Sequence, residues 1–231
     1  MQAIKLLCCV AVFLMLAGCA NTGVREDKYP AMTALKPRSI LVVPVVNNSV
    51  DVNASTSVLS TLPKVLAERG YYVFPVNTVK TLLEYEGLYE PAEIHREQVT
   101  ELAELFGADA VLYVTVHKWA AEYILVNTRT TVELEYTLVA RTGEDLWSAR
   151  KRVSYSPNEG NDYLGKSGLE GLLVSAVAAA FERADPNYMP LTRKANTEVF
   201  ETGATVIPPG PYAPDYDTYY QKFEQPESTA P

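Results

Sequence analysis

The run Ile40-Leu41-Val42-Val43-Pro44-Val45-Val46 offers water no polar side chain at any position. A stretch this short can be hidden only by covering both of its faces, which predicts a strand inside a sheet with helices packed on either side. It alone among the candidate strands is apolar throughout, so it is expected to be the central one. Pro44 donates no hydrogen bond, and a bulge or a late strand end is expected there. Asn47-Asn48-Ser49 closes the run as a loop.

Farther along, the period changes to two. From Thr131 to Arg141 the residues Val132, Leu134, Tyr136, Leu138 and Ala140 alternate with Thr131, Glu133, Glu135, Thr137 and Arg141, the pattern of an antiparallel strand with one dry and one wet face. Thr142-Gly143 marks a turn and Leu146-Trp147-Ser148-Ala149 returns. A two-residue loop sets Leu138 opposite Trp147, Tyr136 opposite Ala149 and Val132 opposite Val153, and on the wet face Glu135 opposite Arg150 and Glu133 opposite Arg152. A slip of one residue would push Arg150 and Arg152 into the core. That costs far more than the few tenths of a kcal/mol, roughly, that exposed ion pairs supply, so burial sets the register. A bulge at Gly143 would offset the pairing.

The remaining elements follow from spacing. Ser55-Thr56-Ser57 offers caps for a helix to Arg69 with Val58, Leu62, Val65 and Leu66 on one stripe, kinked or restarted at Pro63 and stopped by Gly70. Tyr71 to Val76 reads as a strand. Asn77 caps a helix bearing Val79, Leu82 and Leu83, and Pro91 opens another bearing Val99, Leu102, Ala103 and Phe106, stopped by Gly107. Ala108 to Val116 begins the second half. Leu169, Leu172, Leu173, Ala176, Val177, Ala180 and Phe181 recur at helical spacing and predict a helix covering the sheet. The fold class is α/β (α+β): a mixed sheet of about five strands, an antiparallel meander in the C-terminal half, and helices packed on the sheet.

The amino terminus carries the firmest functional signal. Met1 to Lys5 holds one positive charge, Leu6 to Leu16 is apolar, and Leu16-Ala17-Gly18-Cys19 follows. This is signal-peptide architecture, too short for a membrane span of about 20 residues. It resembles the lipobox of bacterial lipoproteins, which implies cleavage between Gly18 and Cys19 and acylation of Cys19. With several acyl chains, at about 0.8 kcal/mol per buried CH₂, attachment is effectively permanent. Of three cysteines, Cys8 and Cys9 leave with the signal, so no thiol remains for disulfides or metal. Ala20, where enteric-type bacteria use Asp for inner-membrane retention, implies the outer membrane and its periplasmic face. Residues 1–18 are read as signal peptide, 19–37 as a lipid-anchored flexible tether, 38–200 as a single α/β domain, and 201–231 as a Pro/Tyr-rich tail, extended or disordered, or a strap along the surface.

Few residues suggest chemistry. A formal charge of −8 argues against nucleic acid and against electrostatic attachment to anionic lipid. His95 and His117 stand apart and are expected to face water, so no metal or cofactor is expected. Gly165-Lys166-Ser167-Gly168 lacks the upstream glycine of a P-loop. Glu133 and Glu135 share a face, but the arginines opposite make them a solvated ladder rather than a catalytic pair. Trp119 and Tyr123, near a strand end, are the candidate partner surface. The competing enzymatic or solute-binding reading places a cleft near Asn47 and Asn48.

Arg69-Gly70-Tyr71-Tyr72-Val73-Phe74-Pro75, Phe106-Gly107-Ala108-Asp109-Ala110-Val111-Leu112-Tyr113, and Arg141-Thr142-Gly143 followed by Leu146-Trp147 together resemble a family of bacterial lipoproteins. That family is catalogued only as a domain of unknown function and includes a meningococcal genome-derived antigen. The resemblance spans roughly Pro37 to Asn196. It implies a domain similar to the amino-terminal domain of TolB, and association with a curli-secretion-type pore lipoprotein and a second small lipoprotein. It carries over no catalytic residue. The expectation is therefore a non-enzymatic, lipid-anchored periplasmic binding or assembly module, not an enzyme. Cys19→Ser should release the protein from membranes while leaving the fold intact. Processed mutant protein that still fractionates with membranes in high salt would refute the anchor.

Overall fold

The computed structural model describes residues 27–124, 127–156 and 187–224. The signal peptide, Cys19, the Gly165–Gly168 loop and the helix expected at Leu169–Phe181 lie outside the described residues. In chain order the elements are α1 (Pro30–Leu35), β1 (Ser39–Val42), β2 (Val46–Asn47), α2 (Ala54–Glu68), β3 (Tyr72–Val73), α3 (Val76–Tyr85), α4 (Pro91–Ile94), α5 (Val99–Phe106), β4 (Ala110–Ile124), β5 (Asn127–Ala140), β6 (Asp145–Tyr155), α6 (Tyr188–Thr197), a π-helical turn (Glu198–Thr202) and α7 (Tyr216–Glu224).

One mixed sheet of six strands runs β3-β1-β4-β5-β6, with β2 also paired to β4. β1 pairs in parallel with β3 and with β4, β2 pairs in parallel with β4, and β4-β5-β6 is the expected antiparallel meander. The apolar run is interior but not central: β1 is second from the edge, and β4 holds the middle. Burial on both faces is achieved one strand away from the edge because helices cover both sides. Leu41, Val43 and Val111 face Val79 of α3, Ile94 of α4 and Leu102 of α5. Ile40, Val42, Leu112 and Val114 face α2 and α6. Each such side chain, fully withdrawn from water, contributes about 1.5–3 kcal/mol. The run also breaks, as Pro44 suggested, into β1 and the two-residue β2.

The β5–β6 register matches the burial argument at every inner pair: Leu138 opposite Trp147, Tyr136 opposite Ala149, Val132 opposite Val153. The loop has three residues rather than two. Ala140 accepts from Gly143 N at 2.9 Å and donates to Glu144 O at 2.8 Å, and Gly143 sits at φ +91°. Closing three residues requires that left-handed residue and produces the bulge between Leu138 and Val139. Helix starts differ slightly: α2 begins at Ala54 and runs on through Pro63, and the helix expected from Pro91 is two helices separated at 95–98.

Both ends of the domain are folded. Met32 of α1 is fully buried, so residues 27–37 belong to the fold and are not a flexible tether. After Thr202 the chain is the strap of the two forms expected, followed by a helix, and not an extended or disordered tail. Ile207, Ala213 and Tyr220 are buried, but the strap is held mainly by hydrogen bonds. Pro208 O accepts from the Tyr71 hydroxyl at 2.6 Å, Ile207 O from Arg69 at 2.8 Å, and Thr205 O from the Trp147 indole at 2.7 Å. Gly210 N and Tyr212 N donate to the carbonyls of Arg69 and Gly70 at 2.8 and 3.0 Å. Burial drives the Tyr71 phenol well above its usual range, with nearby Tyr220 adding to the rise, so it stays a donor.

Gly70 is where the strap seats. Its φ of +81° disfavours any side chain, and a Cβ there would overlap the Ala213 backbone. Gly70→Ala should lower unfolding free energy by roughly 2–4 kcal/mol and expose 204–215 to protease. Urea unfolding with limited proteolysis checks this; an unchanged midpoint and cleavage pattern would contradict it.

Candidate functional site

The side chains with reactive potential can be followed from the sheet outward. On the wet face of β5 and β6, Glu133 gathers both arginines. Arg150 donates Nε and Nη2 to Oε1 at 2.9 and 2.8 Å, and Arg152 donates Nε and Nη2 to Oε2 at 2.8 and 2.5 Å. The expected Glu135–Arg150 pair is looser, at 3.8 Å, because Glu135 is taken by His117, whose Nε2 lies 2.5 Å from its Oε2. His117 lies on this face by alternation from the core-facing Val116, at the β4 bulge between Val116 and Lys118. The result is a chain His117–Glu135–Arg150–Glu133–Arg152 across three strands. Burial alone would raise the Glu133 carboxyl, but the hydrogen bonds and charges of Arg152 and Arg150 outweigh it and hold the group below its ordinary value. A carboxylate so held stays ionised, which suits a ladder and not a general acid.

A second polar chain crosses the core. The Tyr136 hydroxyl donates to Asn196 Oδ1 at 2.6 Å, and Asn196 Nδ2 donates to Thr61 Oγ1 at 2.7 Å. Tyr136 and Asn196 are fully buried, so this chain ties β5, α6 and α2 together with its polar atoms satisfied.

His95 does not face water. It is half-buried, with Nε2 2.9 Å from Pro44 O and its ring edge-on to Tyr113 at 5.1 Å. Burial lowers its pKa against the opposing pull of the Pro44 carbonyl, and burial likewise pushes Tyr113 up to about 12. The histidine replaces the donor that the β1–β2 break leaves missing at Pro44, a structural use.

The cleft expected near Asn47 and Asn48 is a locked loop. Asn47 Nδ2 donates to Asp51 O at 2.8 Å, its Oδ1 accepts from Ser49 N at 2.9 Å and Ser49 Oγ at 2.7 Å, and Asp51 Oδ1 accepts from Asn53 N at 2.9 Å. Asn48 N donates to Val116 O. The loop holds Val50 and Val52 outward, 97% and 85% exposed. Trp119 is a correction. It is 3% exposed, packed against Tyr188 at 4.8 Å between ring centres, because the β4 bulge turns it from the outer to the core face. Tyr123 pairs with Thr128 in the β4–β5 ladder, and its side chain lies outside the described residues, as does Cys19. Among the described residues no group of three or more His, Cys, Asp or Glu could hold a metal ion, and no helix is long and apolar enough to cross a membrane.

Comparison with known proteins agrees with the fold. The family described as "Putative lipoprotein GNA1162-like" matches residues 27–211, and the chain belongs to it. A lipoprotein of Neisseria meningitidis serogroup B (strain ATCC BAA-335 / MC58), "Putative lipoprotein NMB1124/NMB1162", is 39% identical over 169 residues, 73% of this chain and 76% of that protein. The crystal structure of lipoprotein GNA1162 from Neisseria meningitidis is 40% identical, covers 63% of this chain and 98% of that one, and superposes with a TM-score of 0.51. The LpoB C-terminal domain from Salmonella enterica is a more distant likeness, 24% identical over 51% of this chain and 84% of that one, with a TM-score of 0.37. Membership in a lipoprotein family implies a membrane-anchored envelope protein.

The depressed Glu133 carboxyl fixes a pH dependence. The unfolded chain binds the proton first as pH falls from about 4.5, so the stabilisation present above that value is lost as pH drops through the folded pKa. Glu133→Gln should cost roughly 1–3 kcal/mol at pH 7 and flatten the acid limb of a stability–pH curve from chemical denaturation. A limb of unchanged slope would contradict the assignment.

Proposed function

We propose that this chain is a lipoprotein of the outer membrane, anchored through Cys19 and facing the periplasm, that works without catalysis by docking another envelope protein. The carrying observation is the pair Val50 and Val52, held exposed on a loop braced by four hydrogen bonds. Apolar side chains fixed in water at a braced loop tip suit docking better than catalysis. Strand direction supports a position for them opposite the proposed anchor. Ser39 of β1 and Ala110 of β4 open their strands at the end that holds residues 27–38, while Asn48 bonds Val116 at the other. From Cys19 to Asp27 is eight residues, at most about 28 Å of chain, so the domain is kept near the bilayer with the valine loop presented away from it.

The histidines, the paired glutamates and Asn47, the groups an enzyme would use, are engaged in holding strands and loops together. That use supports a non-enzymatic reading. Partners of the kind the family resemblance implies, a curli-secretion-type pore lipoprotein or a second small lipoprotein, are the first to test. A photo-cross-linking residue at position 52 of the full lipidated protein should capture one envelope protein, identified by mass spectrometry, and Val50→Asp should abolish capture. No adduct at native abundance, or equal adducts from a cross-linker at Lys64, three turns along α2 from the loop, would overturn the reading.

A further inference from the structure

At the anchor end the chain builds a pocket that the docking reading does not use. Its walls come from four segments: the end of α1 with Leu35, Lys36 and Pro37, the approach to β1 with Arg38, the residue before β4, Asp109, and the β5–β6 turn with Arg141, closed by Leu146. The volume is about 200 Å³. Lys36, Arg38 and Arg141 all line it in a protein whose net charge is −8, and the single carboxylate among the lining residues is already engaged. Asp109 Oδ2 accepts from the backbone N–H of Arg38 at 2.9 Å and of Ser39 at 3.1 Å, and lies 3.8 Å from Arg38 Nε.

The local folding fixes the cations in place. Lys36 is the only described non-glycine residue in the left-handed region, at φ 44°, and caps α1 with its N–H on Met32 O. Its ammonium lies 5.1 Å from the centre of the Tyr220 ring. Arg141 N donates to Asp109 O at 2.9 Å, which anchors the base of that side chain at the mouth while its guanidinium stays exposed. The Arg38 side chain is 75% exposed. Two arginine forks with a lysine suit the oxygens of a phosphate. Beside them Leu35, 43% exposed and backed by the buried Pro37 and Leu146, supplies an apolar edge that a free inorganic anion would leave uncovered.

We propose that this pocket binds a phosphate ester carrying an apolar substituent, the chemistry of a phospholipid headgroup. Its position follows from the anchored reading, since Leu35 to Arg38 end α1, the first described helix beyond Cys19, and lead into β1. The overall negative charge disfavours general adhesion to anionic membranes; a single seated headgroup is a different interaction, set by local geometry. Seating one would orient the domain on its membrane.

The test uses the full mature chain with Cys19→Ser, so that the anchor plays no part. Amide shifts are followed by NMR on titration with dihexanoyl-phosphatidylglycerol below its micelle concentration, with dihexanoyl-phosphatidylcholine, and with inorganic phosphate. Saturable shifts confined to Leu35–Ser39, Asp109, Ala140–Thr142 and Leu146, strongest for phosphatidylglycerol and weakened roughly ten-fold in Arg141→Gln, are expected. Equal binding of inorganic phosphate would make this a free-phosphate site and overturn the lipid assignment. Absence of saturable shifts, or full affinity in Arg141→Gln with an otherwise unchanged spectrum, would overturn the site itself. Membrane fractionation of the lipidated wild type reports separately on the anchor, so failure of one reading is distinguishable from failure of the other.

Discussion

The structure depends on the double pairing of β4. On one side it accepts the parallel strands β1 and β2, and on the other it pairs along fourteen positions with antiparallel β5. The parallel half needs helices on both faces, and the meander needs them on one only. β4 meets both demands by alternation: Val111 points to α3–α5, while Leu112 points to α2 and α6. Past β2 its neighbours change, and the Val116–Lys118 bulge shifts parity so that Trp119 still reaches the core. His117, at the bulge, keeps the wet face that alternation from Val116 gives it and meets Glu135 there. One irregularity therefore completes the core next to where the charge ladder begins.

Legibility from the sequence followed the physics of each element. Where burial and alternation pointed the same way, as from Val132 to Val153, the inner-face register could be derived pair by pair. Where an irregular backbone position intervened, it could not. Counting by twos from Val116 sends Trp119 outward, and only the burial of Trp119 reveals the bulge. Composition left the Pro-rich segment open between a free tail and a strap. It counts apolar side chains, but this segment is held by backbone carbonyls that bind Arg69, Tyr71 and Trp147. Proline suits such a role, since its ring costs no folding entropy comparable to that of a free residue and leaves the carbonyl available. A visible signal did exist in Arg69-Gly70-Tyr71, where a glycine at a helix stop lies between two side chains able to donate to a passing strand of carbonyls.

The candidate site was legible in kind rather than in place. Glu133 and the arginines opposite were recognisable as a ladder, but Glu133's capture of both arginines depends on side-chain reach, which pairing alone does not specify. His95 shows why a lone histidine resists prediction: its partner, Pro44 O, is 51 residues away. The exposed valines passed unnoticed because an apolar residue in a loop is ordinary until the loop proves to be braced. Together these placements give the molecule two distinct ends, one closed by α1 and the strap next to the anchor, the other presenting Val50 and Val52.

The central claim is that the segments flanking the sheet domain, residues 27–37 and 203–224, are part of the folded body. Native-state hydrogen exchange of the lipidated protein tests it most directly. The amides of Lys36, Gly210 and Tyr212, bonded to Met32, Arg69 and Gly70, should be protected to a free energy approaching that of β4. Exchange of these three amides at the rate of an unfolded peptide, with β4 still protected, would contradict it.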